Sequence, residues 1–286
     1  MAVERKILSL TPQQAHWRAQ YGPWAIVTGA SEGIGREIAI CLAKAGLNLI
    51  LVARRRILLE QMATDLSESY GTETLVISAD LSDDLAVNDV IAATTSQDVG
   101  LLVACAGFGT SGSLIEMSLE EELNMLAVNC RTVLTMSHHF GQRFARRRRG
   151  GLVLMSSLLA FQGVPLSANY AATKAYVQSL AEGLHIELAP LGVDVLASAP
   201  GPIHSGFATR ANMQMGFALK PEQVAQDTLN ALGKRTTVRP GWLSKFLEVS
   251  LAFLPRWGRV RAMARVMKGM TQHQNSHPNM TSVELV

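Results

Sequence analysis

The sequence predicts a doubly wound α/β fold, a parallel sheet covered by helices on both faces. Three observations carry that prediction. Apolar runs of strand length alternate with helix-length segments along the chain. Nearly every candidate strand is apolar at consecutive positions, which suits strands buried on both faces rather than one. The connections are short, and no internal repeat or composition shift marks a linker.

The elements follow in order. Residues 1–22 read as a short helix and lead-in, and Trp24–Thr28 as a compact buried strand. Residues 34–45 carry helical periodicity, with Gly46 as the stop. Residues 47–53 are a continuous apolar run of strand length. Residues 58–70 read as helix, 74–79 as strand, and 101–106 as a strand ending in a glycine-containing turn. Residues 119–148 read as one long helix whose last turns hold Arg146, Arg147, Arg148 and Arg149, where cations suit the helix dipole. Residues 152–155 and 193–199 are further strands, separated by a helix over 171–188. The expected organisation is a Rossmann-type catalytic unit over 1–240, a helical extension over 241–270, and a polar, flexible tail over 271–286.

Composition narrows the function classes. Hydrophobic residues make up 48% and charged residues 17% of 286, so the chain can bury a large core. A net charge of +3 is too small to argue for nucleic acid. Cys41, Cys105 and Cys130 sit in apolar runs without metal-ligand or CxxC spacing, and read as core residues in a reducing compartment. The N-terminus shows no long apolar leader segment, and residues 242–254 are interrupted by Lys245 and Glu248, so a cytoplasmic protein is expected.

The first chemical signal follows the first strand: Gly29, Ala30, Ser31, Glu32, Gly33, Ile34, Gly35, then a helix. Gly29 permits a tight turn, Gly33 lets backbone approach a pyrophosphate, and Gly35 lets the helix pack closely on the sheet. Amides at the helix start, aided by the dipole, then face phosphate. An NAD site usually ends its second strand with an acid that holds the ribose 2′-hydroxyl. Here that strand ends in Ala53, Arg54, Arg55 and Arg56. Guanidinium groups bind a 2′-phosphate, so NADP is expected, with Arg54 first and Arg55 second as its ligand.

The second signal is Ser157, Tyr170 thirteen residues later, and Lys174 four beyond that. Positions i and i+4 share a helix face, so phenol and ammonium can converge. A free tyrosine titrates near ~10, and a lysine charge beside it, with the positive nicotinamide ring of oxidised cofactor, favours the tyrosinate. Ser157 can polarise a substrate oxygen. The adjacent Ser156 does not have the thirteen-residue interval to Tyr170.

Taken together, Thr28, Gly29, Gly33, Gly35, Asp80, Leu81, Asn129, Ser157, Tyr170, Lys174 and the run from Pro200 to Ser205 resemble the short-chain dehydrogenase/reductase family, over about residues 22–240. Within it, the chain resembles the NADP-dependent ketoreductase group that includes 3-ketoacyl and hydroxysteroid reductases. The resemblance implies an NADPH-dependent oxidoreductase that reduces a carbonyl, of apolar ketone or 3-oxoacyl type, or runs the reverse reaction. It implies Tyr170 as acid/base, Lys174 on the nicotinamide ribose, Ser157 orienting the carbonyl, and Asn129 holding a water in a proton relay. Gly29, Ser31, Gly33, Ile34, Gly35, Arg54, Arg55, Asp80, Leu81, Ala106, Gly107, Pro200, Gly201, Ile203 and Ser205 would join Tyr170 and Lys174 in binding cofactor, with Asp80 on the adenine and Ile203 and Ser205 on the carboxamide. One departure is clear. Where the family carries Asn-Asn-Ala-Gly, this chain has Ala104, Cys105, Ala106 and Gly107, which puts local sheet-stabilising hydrogen bonds in doubt.

Other residues have plainer readings. His138 and His139 read as helix packing or surface residues, and Arg146 to Arg149 as a solvated helix end. His204 lies in the cofactor loop. Phe207, Met213, Met215 and Phe217 suit a lid over an apolar substrate, or a buried helix face. Two rivals remain. Gly29-Ala30-Ser31-Glu32-Gly33 has the spacing of a hydrolase nucleophile elbow, but on the first strand of the fold. A non-catalytic NADP-binding module would keep the glycine turn and lose the Ser, Tyr and Lys set, which is complete here.

Beyond residue 240, Leu243, Phe246, Leu247, Leu251 and Leu254 form an apolar segment ended by Pro255. Trp257, Val260, Met263, Ala264, Met267 and Met270 then recur at helical spacing, with Arg259, Arg261, Arg265 and Lys268 largely off that stripe. This stripe either roofs the substrate pocket or meets a partner, which would be a second copy in a homo-oligomer or a membrane surface touched peripherally.

Overall fold

The computed structural model describes residues 11–214, 218–241 and 253–276. The expectations for residues 1–10, Met215, Phe217, Leu243, Phe246, Leu247, Leu251 and residues 277–286 fall outside them.

Strand β1 (Trp24–Thr28) is hydrogen-bonded on both sides, to β2 (Asn48–Ala53) and to β4 (Val99–Ala104). With β3 (Thr74–Ser78), β5 (Gly150–Met155), β6 (Val193–Ser198) and β7 (Thr237–Val238) the order is β3-β2-β1-β4-β5-β6-β7, all parallel. The doubly apolar strands are explained by where alternate side chains go. Ala25 and Val27 join Leu49, Leu51 and Val103 on one face of the sheet. Ile26 joins Ile50, Val52 and Leu102 on the other.

Helices cover both faces. α2 (Gly33–Lys44) packs Ile38, Ala39 and Leu42 into the first cluster, together with Leu59 and Met62 of α3 (Arg56–Tyr70). α4 (Asp84–Ala93), α6 (Thr132–Arg147) and α7 (Ala168–Leu188) cover the second, with Met136, Phe140 and Phe144 fully buried. α4, α9 (Pro221–Ala231) and β7 are additions to the elements read from sequence. Their signals were local: Asp83 caps α4 through the Leu85 amide, and Pro221 opens α9 at its first position.

The single helix expected over 119–148 is instead three pieces. α5 (Leu119–Leu126) passes into a π-helical turn, Ala127–Arg131, before α6 begins. Such turns concentrate at functional positions, and this one holds Asn129. The arginine run is also not simply solvated. Arg147 and Arg149 both pair with Asp98. Arg149 donates to the carbonyls of Ala19 and Gly22, tying in α1 (Pro12–Tyr21). Arg148 donates to Pro190 O. These guanidinium groups thereby supply partners to carbonyls at neighbouring chain turns.

Of the extension, α10 (Arg256–Met270) packs Met263, Met267 and Met270 against Val164, Ala171, Ala211 and Met213. The turn Gln272–Ser276 follows, where Gln274 donates to Ser111 Oγ at 2.8 Å and to Asn212 O at 2.7 Å. Among the described residues no helix is long and apolar enough to cross a membrane.

Candidate active site

The strand order reverses between β1 and β4, and there the carboxyl ends of the strands open a crevice. A cavity of about 1070 Å³ occupies it. Every residue expected to bind cofactor lines that cavity, as do Ser157, Tyr170 and Lys174. Asn129 lies behind the lining.

At one end, the turn from β1 into α2 is shaped by Gly29, whose φ is 67°. A Cβ there would fall 2.9 Å from the Ala106 backbone, so the turn and the β4 loop can approach this closely only without a side chain. Glu32, at the start of α2, makes no side-chain cap, which leaves the first amides of the helix unengaged by it. Arg55 Nη2 donates to Ser31 Oγ at 2.9 Å and pairs with Glu32 at 2.9 Å. Arg54 Nη1 lies 3.8 Å from Asp80 Oδ2. The Ser82 backbone amide holds the Asp80 carboxyl below the usual carboxylate range, helped by the Ser82 hydroxyl and Arg54 against partial burial. Free helix amides flanked by two guanidinium groups suit phosphate groups. Ser31 meets a guanidinium rather than a base, which leaves the nucleophile-elbow reading without its general base.

The doubt raised by the departure from Asn-Asn-Ala-Gly is answered by Thr28. Its hydroxyl accepts from the amides of Cys105 and Ala106, each at 3.0 Å, and donates to Val103 O at 3.4 Å. The loop's shape is thus held from β1.

At the centre, β5 delivers Ser157 and the first turns of α7 deliver Tyr170 and Lys174. All three are buried. Ser157 Oγ accepts from the Leu159 amide at 3.2 Å, and its hydroxyl favours the ionised form of the Tyr170 phenol. Lys174 Nζ donates to Met155 O at 2.8 Å and stands 5.8 Å from the Tyr170 ring centre. Ser156 instead donates to Lys174 O at 3.1 Å, a bond within the scaffold. Burial pushes the Tyr170 phenol up to about 12, with the Ser157 hydroxyl pulling the other way. Burial also pushes the Lys174 ammonium down to about 8, opposed by the thiols of Cys105 and Cys130. The expected lowering of the phenol by Lys174 is therefore absent in the polypeptide alone: the ammonium is turned to a carbonyl, and desolvation dominates. A phenol kept neutral at physiological pH is a proton donor.

Asn129 is fully engaged. Its Nδ2 donates to Phe108 O at 2.8 Å and Thr173 Oγ1 at 3.1 Å, and its Oδ1 accepts from the Phe108 amide at 3.1 Å. It thus ties the loop after β4 to α7. A Cβ at Gly107 would fall 2.9 Å from Asn129 Oδ1 and 3.3 Å from Lys174 Nζ, so only glycine keeps this approach clear.

The other end of the cavity is apolar. Phe207 of α8 (Gly206–Arg210) packs on Tyr170 with ring centres 5.3 Å apart. Met213, Met263, Met267 and Met270 complete the roof. Of the two readings open for the extension, roofing the pocket is the one α10 fulfils. Arg210, which no sequence pattern singled out, stacks 4.1 Å over the Phe108 ring at the cavity wall. His204 is off the lining, with its amide bonded to Leu219 O.

Comparison with known proteins agrees with this geometry. The profile of the short chain dehydrogenase family matches residues 23–216. A 7beta-hydroxysteroid dehydrogenase of Clostridium sardiniense is 35% identical over 234 residues, covering 80% of this chain and 90% of that one. A very-long-chain 3-oxoacyl-CoA reductase of Phaeosphaeria nodorum is 31% identical, covering 80% and 70%. A solved 7beta-hydroxysteroid dehydrogenase structure superposes with a TM-score of 0.80 at 30% identity, over 86% of this chain and 98% of that one. An alcohol dehydrogenase of Thermococcus sibiricus, solved with 5-hydroxy-NADP, superposes with a TM-score of 0.66 at 29% identity, over 76% and 93%.

Proposed function

The chain belongs to the short-chain dehydrogenase/reductase family, and from that premise we propose that it reduces an apolar ketone with NADPH, or oxidises the corresponding alcohol. The observation that carries this reading is one cavity with two ends. Arg54 and Arg55 flank an unengaged helix start at one end, and Ser157, Tyr170 and Lys174 converge beneath a methionine roof at the other. A non-catalytic NADP-binding module has no use for the second end.

The residues present fit NADP. Bound there, the cofactor supplies hydride to the carbonyl carbon. The chain's own groups do the rest. Ser157 donates a hydrogen bond to the carbonyl oxygen, Tyr170 gives that oxygen its proton, and Lys174 holds the nicotinamide ribose. Asn129 keeps the Phe108 loop and α7 in register around them.

An oxosteroid is the favoured substrate class, because a roof of adaptable methionines and Phe207 suits a bulky rigid hydrocarbon. A 3-oxoacyl thioester is the second reading, supported by the fungal relative. Loss of NADPH absorbance with oxosteroids, 3-oxoacyl thioesters and small aromatic ketones tests both. Turnover of the first class alone is expected. Absence of turnover with every ketone, in protein that binds NADPH, overturns the enzyme reading.

A homo-oligomer completes the proposal. Leu119, Leu123 and Leu126 stand exposed along α5, with Leu134 of α6 beyond them. This stripe fits a second copy of the same surface.

A further inference from the structure

We propose that the outward side of α10, with the residues leading into it, docks on an anionic lipid bilayer. α10 carries five cations, Arg256, Arg259, Arg261, Arg265 and Lys268, and no acid. Its two sides differ. Met263, Met267 and Met270 recur at i, i+4 and i+7 and face the cavity. Arg261, Arg265 and Lys268 lie on the exposed side.

The apolar stripe seen in the sequence is thus occupied by the substrate roof, and lipid contact rests on other residues. Phe253 is 85% exposed and Trp257 64% exposed, at the start of the helix. Leu254 beside them is exposed as well. The Arg261 guanidinium stacks 4.9 Å over the Trp257 ring, which places indole and charge side by side. Indole rings favour the headgroup level of a bilayer, and neighbouring cations favour anionic headgroups.

Charge complementarity selects the occupant. A twofold contact between two copies through this face would set the same cations against each other. An acidic protein would satisfy the cations but gives no reason for a bare Phe253 and Trp257 pair. A bilayer meets both. The position adds a purpose: Val266 lines the cavity and is also exposed, so the docking side is continuous with the apolar end of the cavity. A ketone dissolved in the bilayer would enter there.

Co-sedimentation with phosphatidylcholine vesicles containing about one third phosphatidylglycerol tests the proposal, beside phosphatidylcholine alone, at low salt and at about 0.5 M salt. Binding is expected only with phosphatidylglycerol and only at low salt. The double variant Arg261→Glu and Arg265→Glu is expected to weaken it at least about tenfold, and Trp257→Ala to weaken it too, with NADPH binding by fluorescence unchanged. Equal binding to both vesicle types, or none at low salt, overturns the proposal, as does an undiminished double variant. The wild-type arms decide the matter even if a variant misfolds. Lost self-association in Trp257→Ala, with no vesicle binding by the wild type, assigns the surface to a second copy instead. NADPH turnover is read separately, so failure here leaves the proposed chemistry standing.

Discussion

Glu122 Oε2 accepts a hydrogen bond from Asn169 Nδ2 at 2.7 Å, one residue before Tyr170. The same carboxylate accepts from Thr110 Oγ1 at 2.6 Å, and Ser167 donates to Thr110 O at 3.0 Å. The Glu122 side chain is buried and its partners here are neutral donors. It joins α5, the loop after β4 and the first turn of α7, where no acid of the helix's own meets the dipole.

Glu122 is therefore a positioning residue for Tyr170. Glu122→Ala leaves the buried Thr110 hydroxyl without its acceptor, at about 1–3 kcal/mol, and leaves the part-buried Asn169 amide only the backbone carbonyl of residue 122. It is expected to lower kcat about tenfold or more while KM for NADPH holds. Glu122→Gln can keep both contacts by turning its oxygen to Asn169 and its nitrogen to the Thr110 hydroxyl, and is expected to restore most of kcat. Steady-state kinetics on folded variants decide it. A Glu122→Ala enzyme within twofold of wild type removes the role.

Tyr170→Phe removes only the proton donor. The aromatic contact with Phe207 survives, so the fold and NADPH affinity are expected to persist while turnover falls about 10²–10⁴-fold. Single-turnover rates with a saturating ketone provide the measurement. Loss limited to a few-fold assigns the acid elsewhere.

Cofactor choice lies with Arg54 and Arg55. NADPH is expected to bind more tightly than NADH, and Arg54→Ala with Arg55→Ala to abolish the difference. Glu32 now neutralises Arg55 at 2.9 Å and would compete with a 2′-phosphate. Glu32→Gln is accordingly expected to tighten NADPH and leave NADH unchanged, by fluorescence titration. Tighter NADH binding by the wild type reverses the reading of the second strand.

Lys174 is held at a cost to stability. Burial lowers its folded pKa from 10.5 to about 8. Below about 8 the ammonium is buried and charged in the fold. Between about 8 and 10.5 the unfolded chain binds the extra proton, so stability from this group rises with pH across that window. Lys174→Met is expected to raise Tm by a few degrees at pH 7, by less near pH 10, and to abolish turnover. Calorimetry at the two pH values provides the check. A variant less stable than wild type at pH 7 counters the argument.

The α5 surface is expected to hold a second copy. Light scattering should give a multiple of the chain mass, and Leu123→Glu should give the monomer, because a buried unpaired carboxylate is not tolerated in an apolar contact. A monomeric wild type at working concentration ends the proposal.

The sequence by itself determined the features whose signals are local. Doubly apolar strands determined a parallel sheet, because alternate residues of β1 and β2 had to enter opposite cores. The i, i+4 pair Tyr170 and Lys174 and the glycine turn marked the candidate site, because helix pitch and turn geometry need only neighbours. α4 carried an equally local cap and α9 an opening proline, and both went unread. Tertiary structure decided whatever joins distant segments. The methionine stripe of α10 was visible, but only packing on Met213 and Ala171 turned it inward over the cavity. Asn129 was marked by resemblance, but only its bonds to Phe108 and Thr173, made from a π-helical turn, show that it ties the loop after β4 to α7. The phenol was expected to fall in pKa beside Lys174. In the polypeptide alone burial raises it instead, because desolvation depends on everything packed around a group, and the ammonium is turned to Met155 O.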